Sequence, residues 1–126
     1  MDTENKTKEC PFCEIVLGKT ERKPVYENKD VIVIVPNTPK AEGHVLVIPK
    51  KHFVNILDIP ADLLNELFIV VQKMSKQAIN KDNASGVNIL NASGRDAGQS
   101  VFHCHIHVIP RHPNDSLWLD IEKRGK

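Results

Sequence analysis

Apolar and polar residues alternate along this chain with two different periods. From Pro60 to about position 80, apolar side chains recur every three or four residues, with mostly polar ones between them. This period is that of an amphipathic helix, which we expect to begin at Pro60 and to end before Ser85. The stripe predicted to face the core comprises Leu63, Leu64, Leu67, Phe68, Val71, Met74 and Ala78.

Four short segments rich in β-branched residues predict strands. They cover positions 25–27, 31–35, 44–48 and 86–91. The turn-forming residues at 28–30 make the first two strands a hairpin, and Pro49 closes the third. A short helix is predicted over 12–17, where Gly18 stops it.

A fifth strand is predicted around three histidines that alternate with apolar residues. His103, His105 and His107 lie at two-residue spacing, with Cys104 and Ile106 between them. In a strand, this places the three imidazoles on one face, over roughly 13 Å, and the apolar side chains on the other. An imidazole can be a nucleophile, a proton carrier or a metal ligand. The residues alone leave open a nucleophilic site, a metal site using all three histidines and a solvated surface array.

The predicted order is helix, three strands, helix, two strands. This order indicates an α+β protein with a mainly antiparallel, five-stranded sheet that carries its helices on one face. A length of 126 residues predicts one domain. We expect residues 1–9 to be a flexible tail and residues 10–126 to form that domain.

The charge balance excludes several classes of partner. Seventeen basic and 16 acidic side chains nearly cancel, which argues against a general nucleic-acid or membrane binder. The sequence contains no run of 18 apolar residues that could span a bilayer. The polar start of the chain lacks a signal-peptide pattern, so we expect a cytoplasmic protein.

Two further motifs suggest chemistry. Cys10 and Cys13 have the spacing of half a zinc site, and in a reducing compartment such a pair is a metal or redox site rather than a disulfide. The segment 93–100 contains glycines and hydroxyl or amide side chains, and Asn91 precedes it. Its backbone N–H groups could converge on an anion, although a plain turn would have the same composition. Gln99 and Ser100 lie close enough to His103 to reach a phosphate there.

Three stretches of the chain closely resemble the histidine triad (HIT) family. They are positions 43–52, 91–94 and 98–111, and the last contains the family pattern His-φ-His-φ-His-φ-φ, where φ is apolar. The Cys-Pro-Phe-Cys-Glu-Ile segment at 10–15 is also similar to many members, and the length and these cysteines favour the phosphoramidase-like (Hint) branch. The resemblance implies the HIT fold, which usually dimerises.

The resemblance also implies a mechanism on the α-phosphate of an AMP- or GMP-type nucleotide. His105 is the implied nucleophile, which would form a nucleotidyl-histidine intermediate that water then cleaves. His107 would bind phosphate oxygens, and His44 would border the same site. Asn91, Gln99 and Ser100 match positions that hold the phosphate and the leaving group, with Ser100 as a proton relay.

The nucleotide's base and ribose are expected between the first helix and the early strands. By position, the implied contacts are Phe12, Ile15, Ile34 and Val35. Many members carry an aspartate eight residues before the His44 position, where it binds the ribose hydroxyls. This chain has Pro36 there, so Asn37 is the nearest polar substitute.

Relatives with two such cysteines imply a structural zinc ion. Its ligands would be Cys10, Cys13, His52 and His103, while Cys104 would be a small core residue. No organic cofactor is implied. The expected activity is hydrolysis of nucleoside 5′-phosphoramidates or related nucleotidyl esters by a homodimer. A dinucleoside polyphosphate hydrolase is the nearest alternative, and a non-catalytic nucleotide-binding adaptor is an alternative of another class.

Overall fold

The computed structural model describes residues 10–117, so the predicted tail at 1–9 and Trp118 lie outside the described residues. The two α-helices and five strands are α1 (Pro11–Val16), β1 (Tyr26–Glu27), β2 (Val31–Ile34), β3 (Val45–Pro49), α2 (Ala61–Asn80), β4 (Gly86–Leu90) and β5 (Ile106–Arg111). The five strands form one antiparallel sheet in the order β1-β2-β3-β5-β4. The predicted α+β fold and its element order are therefore confirmed.

The prediction that both helices share one face of the sheet is wrong. Val31 and Val33 of β2 belong to the apolar core that contains α2. Ile32 and Ile34 of the same strand face the second core, which contains α1. All four residues of β2 are buried, because the sheet is covered on both sides. A short helix stabilised by distant contacts gives no periodic signal from which its side could be inferred.

The long helix buries a face slightly different from the predicted stripe. Leu67, Val70, Val71, Met74 and Ala78 are its buried residues. Phe68 is 40% exposed, so its predicted core position is wrong, whereas Met74 is buried as expected. Val70 is buried where Phe68 is expected to be. Positions 67, 70, 71, 74 and 78 lie on one face of the helix, whereas position 68 lies at the edge of that face.

The histidine strand begins later than the alternation suggests, at Ile106. Val47 of β3 pairs with Ile106, so His103 and His105 lie before the paired register. The sheet stops here for a physical reason: Pro49, at the end of β3, has no N–H to donate. The amide of Cys104 donates instead to the carbonyl of Phe53 at 2.7 Å. The two-residue alternation nevertheless persists, since Cys104 and Ile106 face α2.

Within residues 10–117, no helix is long and apolar enough to cross a membrane.

Gly43 brings the segment before β3 against β5. Its φ is +86°, and a Cβ there would lie 3.1 Å from Cγ of Pro110. Gly18 also has a positive φ, +75°, but a Cβ there would meet nothing within 4 Å. Both glycines therefore have a positive φ that favours glycine, but only Gly43 lies where an added Cβ would meet a neighbouring atom closely.

We expect Gly43→Ala to destabilise the protein more than Gly18→Ala. The left-handed conformation costs an alanine about 1 kcal/mol at either position, and overpacking adds about 1 kcal/mol or more at position 43. Urea denaturation of both variants measures the difference. Equal decreases in unfolding free energy would show that the approach to Pro110 is not tight.

Candidate active site and metal centre

Four side chains from three parts of the chain meet between α1 and the end of β3. Cys10 caps α1, Cys13 lies on its first turn, His52 follows β3, and His103 precedes β5. One ligand atom from each lies within 4.8 Å of all the others. This group, which the sequence predicts as a ligand set, could hold a metal ion. Among the three alternating histidines it includes only His103.

The distances within this group fit tetrahedral coordination. Nδ1 of His103 is 3.3 Å from Sγ of Cys10 and 3.5 Å from Sγ of Cys13. Nδ1 of His52 is 3.2 Å from Sγ of Cys13. A thiolate and an imidazole on one tetrahedral ion would lie about 3.5 Å apart. The residues present therefore fit a metal ion that accepts sulfur and nitrogen ligands.

Of the two histidines in this group, only His103 has a hydrogen bond that fixes which ring nitrogen is available to a metal. Nε2 of His103 donates to the carbonyl of Pro49 at 2.8 Å, so Nδ1 keeps its lone pair for a metal. The buried Nε2 of His52 has no hydrogen-bond partner within the described chain. Burial, together with the hydrogen bond and charge of Cys10, raises the pKa of Cys13 to about 12. Metal binding would therefore release protons from this centre.

His105 is the buried imidazole next to this metal-binding group. Its Nδ1 lies 2.7 Å from the carbonyl oxygen of His103. A carbonyl only accepts, so Nδ1 carries the proton and Nε2 carries the lone pair. Burial lowers the pKa of His105, an effect that the hydrogen bond to His103 partly offsets. The ring is therefore neutral near pH 7 and has one basic nitrogen, which is what a nucleophile needs.

A second pair of imidazoles has its protons fixed from the other side. The backbone N–H of Lys40 donates to Nδ1 of His44 at 2.9 Å. Nε2 of His44 therefore holds the proton and donates to Nδ1 of His107, also at 2.9 Å. Consequently Nε2 of His107 carries an N–H, so His107 presents a donor where His105 presents a lone pair. The rings of His105 and His107 lie 5.2 Å apart.

The surroundings of this pair favour its neutral form. Burial, and then the charge of Lys40, lowers the pKa of His44 to about 4. Burial also lowers the pKa of His107 to about 4, assisted by the neighbouring His105, His44 and Lys40. Both rings stay uncharged across the physiological range, and their hydrogen-bond directions persist.

Asn91 supports the backbone of the nucleophile candidate. Its Nδ2 donates to the carbonyl of His105 at 3.0 Å, and its Oδ1 accepts from Ser93 at 2.7 Å. The hydroxyl of Ser93 in turn accepts from the amide of Ile56 at 3.1 Å. This chain of hydrogen bonds connects the loop after His52 to His105.

The side-chain amide of Gln99, which is predicted to contact a phosphate, is hydrogen-bonded within the protein. Its Nε2 donates to the carbonyls of Val54 and Val101 at 2.6 and 3.0 Å. Its Oε1 accepts from Gly94 N and Asn55 Nδ2 at 2.8 and 3.2 Å. Because all four bonds of the amide are used, Gln99 has no free donor for a phosphate in this arrangement. Its observed role is to join two loops.

The remaining predicted residues fall into buried and exposed groups. Ser100 is exposed, next to the buried Gln99. Phe12, Ile15 and Ile34 are 7%, 6% and 1% exposed, and all three belong to the core under α1. Val35 and Asn37 lie beyond the end of β2, and both are exposed. Of the five residues predicted to contact the base and ribose, three are thus buried and two are exposed.

Several groups that shape the site escape sequence reasoning. The carbonyls of Pro49 and His103 and the amide of Lys40 set the imidazole protons, but backbone groups look alike in every sequence. Asn55 also escapes it, although a signal exists. Its spacing from Asp58 is typical of a side-chain-capped turn, and both oxygens of Asp58 accept backbone N–H groups here, at 3.0 Å.

The family model of the HIT domain matches residues 18–114 of this chain. This chain therefore belongs to the histidine triad family. It is similar to an adenylylsulfatase of Arabidopsis thaliana, with 33% identity over 110 residues, which cover 87% of this chain and 56% of that protein.

Solved structures agree with this assignment. A zinc-bound histidine triad family protein from Mycobacterium smegmatis has a TM-score of 0.85 and 36% identity, covering 90% of this chain and 83% of that one. A hypothetical histidine triad nucleotide-binding protein from Sulfolobus tokodaii has a TM-score of 0.76 and 44% identity, covering 84% and 71%. The predicted HIT fold is confirmed.

The proton positions in this site can be tested directly. At pH 7 we expect protons on Nε2 of His44 and His107 and on Nδ1 of His105. As pH falls, His44 and His107 should remain neutral until about pH 4. Long-range ¹H–¹⁵N NMR of the rings reports both tautomer and charge. The urea-unfolded chain is the reference, because its histidines should titrate with a pKa of about 6.5. Ring protonation of the folded protein at that reference pH would contradict this arrangement.

Proposed function

We propose that this protein is a nucleotidyl hydrolase in which His105 attacks the α-phosphorus of a nucleoside 5′-phosphoramidate or related ester. The observation that supports this most is the 2.7 Å contact between Nδ1 of His105 and the His103 carbonyl, which leaves the lone pair on Nε2. An adaptor that only binds nucleotides would not require a neutral, oriented imidazole at this place.

The reaction takes place in two displacements. Nε2 of His105 forms a bond to phosphorus while the bond from phosphorus to the leaving group breaks, and the leaving group takes up a proton. A water oxygen then bonds to phosphorus, the nitrogen–phosphorus bond breaks, and the nucleoside monophosphate leaves. Water's proton replaces the one that the leaving group removed, and His105 returns neutral.

The neighbouring groups supply donors where negative charge accumulates. Nε2–H of His107 donates to a phosphate oxygen, and the His44 ring behind it holds the tautomer that makes this possible. The exposed hydroxyl of Ser100 is suited to pass a proton to the leaving group. Asn91 contributes by fixing the His105 carbonyl. A preorganised donor of this kind is worth about 10²–10³ in rate.

The leaving group is the less defined part of the substrate. A phosphoramidate releases an amine and a dinucleoside polyphosphate releases a nucleotide, and both place the same α-phosphorus before His105. Adenylyl sulfate belongs in the same comparison, because a relative that covers most of this chain is an adenylylsulfatase. With Pro36 at the usual aspartate position, Asn37 is the nearby polar group left to contact the ribose.

The metal proposed for the four-residue group is zinc. Two thiolates and two imidazoles are a typical closed zinc set, and a structural neighbour is zinc-bound. Cys10, Cys13, His52 and His103 would hold it. With all four positions filled by protein, zinc would supply structural cross-linking and no open coordination site. His103 is then a metal ligand, whereas His105 does the chemistry.

We further propose a cytoplasmic homodimer. Phe68 and Ile69 expose 40% and 54% of their area on the outer side of α2. Ile89 is 43% exposed on β4, an edge strand of the sheet. An unpaired edge beside exposed apolar side chains is suited to pair with a second copy. A cytoplasmic location fits three cysteines that are free thiols in this structure.

His105→Ala is expected to lower turnover of adenosine 5′-phosphoramidate by at least about 10³-fold, because the nucleophile is removed. AMP binding should change little, since the phosphate donors remain. His112→Asn is the matched control, as this histidine follows β5 outside the site. Mass spectrometry of enzyme quenched during turnover should find one added nucleotidyl group on the peptide that contains His105.

An absence of turnover on phosphoramidate, diadenosine polyphosphate and adenylyl sulfate, with AMP still bound, would favour the adaptor. A nucleotidyl group on another histidine would contradict the assignment of His105 while leaving the reaction class intact.

Metal analysis tests the zinc proposal separately. We expect about one zinc per chain, and little or none in Cys10→Ser because half of the sulfur ligands disappear. Cys104→Ala is the matched control, because Cys104 lies in the α2 core away from the four ligands. Chelation should also lower the melting temperature of the wild type but not that of Cys10→Ser. A zinc ratio near zero in freshly purified protein would overturn the proposal.

A further inference from the structure

We propose that Phe12 is a positioning residue that couples the metal-binding group to the nucleophile. This inference rests on the proposed function of His105 and adds a role that neither the sequence pattern nor the family resemblance assigns. Phe12 lies between Cys10 and Cys13 on α1. Its ring reaches both His103, a metal ligand, and His105.

The ring contacts are specific in geometry. The ring centroid of Phe12 is 5.2 Å from that of His105, with the planes at 83°. It is 5.8 Å from that of His103, at 73°. Both are edge-to-face arrangements in the favourable distance range. The His105 ring is thus held at Nδ1 by the His103 carbonyl and against rotation by Phe12.

The position of Phe12 depends in turn on the cysteines. A helix of six residues is not stable alone, so α1 is held by what it contacts. Sγ of Cys10 accepts from the amide of Cys13 at 3.3 Å, which caps the helix. A metal bound to both sulfurs and to His103 would fix α1 against the segment before β5. Phe12 is 7% exposed and would then have little freedom to move.

The resemblance to the family instead implies that Phe12 contacts the base, and the two roles predict different kinetics. If Phe12 mainly binds the base, Phe12→Leu raises KM and weakens AMP binding, because such binding acts equally on ground and transition states. If Phe12 positions His105, the same substitution lowers kcat, because a misplaced nucleophile attacks less often in the bound complex.

The experiment compares zinc-loaded Phe12→Leu with zinc-loaded Val16→Ala. Val16 is on the same helix and packs against the same apolar cluster, but has no predicted role in binding. We expect Phe12→Leu to lower kcat by about 10- to 100-fold with KM changed less than about threefold. Zinc content should stay at the wild-type level. Relaxation dispersion should detect increased microsecond-to-millisecond motion of the His105 ring in Phe12→Leu only.

Chelation then tests the coupling. Removing zinc from the wild type should lower kcat by a factor similar to Phe12→Leu, and removing it from Phe12→Leu should add little. Where the chelated protein does not fold, as judged by circular dichroism, the kinetic split and the ring dynamics of the loaded proteins decide.

A rise in KM with unchanged kcat, an unchanged His105 ring, or fully additive decreases in kcat would each overturn the role of Phe12. Failure of the proposed function looks different: the wild type itself would turn over no nucleotidyl substrate. The ring dynamics of His105 would still report whether Phe12 holds it.

Discussion

The hydrogen bond from His105 Nδ1 to the carbonyl of His103 is the constraint on which the rest of the site depends. It spans only two residues, yet it determines which nitrogen of His105 keeps a lone pair. The His103 carbonyl is held in place because the His103 side chain donates to the carbonyl of Pro49 and lies next to the sulfurs of Cys10 and Cys13. One residue therefore belongs to the proposed metal centre by its ring and to the proposed reaction centre by its backbone. The two proposed centres are neighbours because His103 and His105 are two residues apart in the sequence.

Burial gives the imidazoles of the site a shared electrostatic character. Low exposure lowers the pKa of His44 and His107 to about 4 and lowers that of His105 as well. The rings are therefore neutral, and each proton has a definite place. The opposite tautomers of His105 and His107 follow from a carbonyl on one side and the Lys40 amide on the other. A lone pair and a donor at adjacent rings are complementary to an electrophilic phosphorus and its negatively charged oxygens.

Much of this is readable from the sequence, because periodicity and spacing record burial and chemistry directly. The alternation at 103–107 indicates which side chains share a face, and the Cys10 and Cys13 spacing indicates half of a ligand set. The failures have equally definite causes. β2 is buried on both faces, so it shows no alternation that would reveal helices on opposite sides. Phe68 satisfies helical spacing but lies at the margin of the buried face, and only packing distinguishes the margin from the centre. The hydrogen-bond partners of Gln99 also escape prediction, because they belong to two loops that no sequence pattern brings together.

The arrangement around Gln99 has a consequence for how the site responds to its environment. Each of its four partners, two carbonyls, a backbone amide and the side-chain amide of Asn55, carries no formal charge. Dissolved ions screen interactions between charges and have little effect on buried neutral dipoles. The loop that presents Ser100 should thus keep its shape from dilute buffer to concentrated salt. An isosteric glutamate would forfeit this insensitivity, because a carboxylate oxygen would then oppose two carbonyl oxygens.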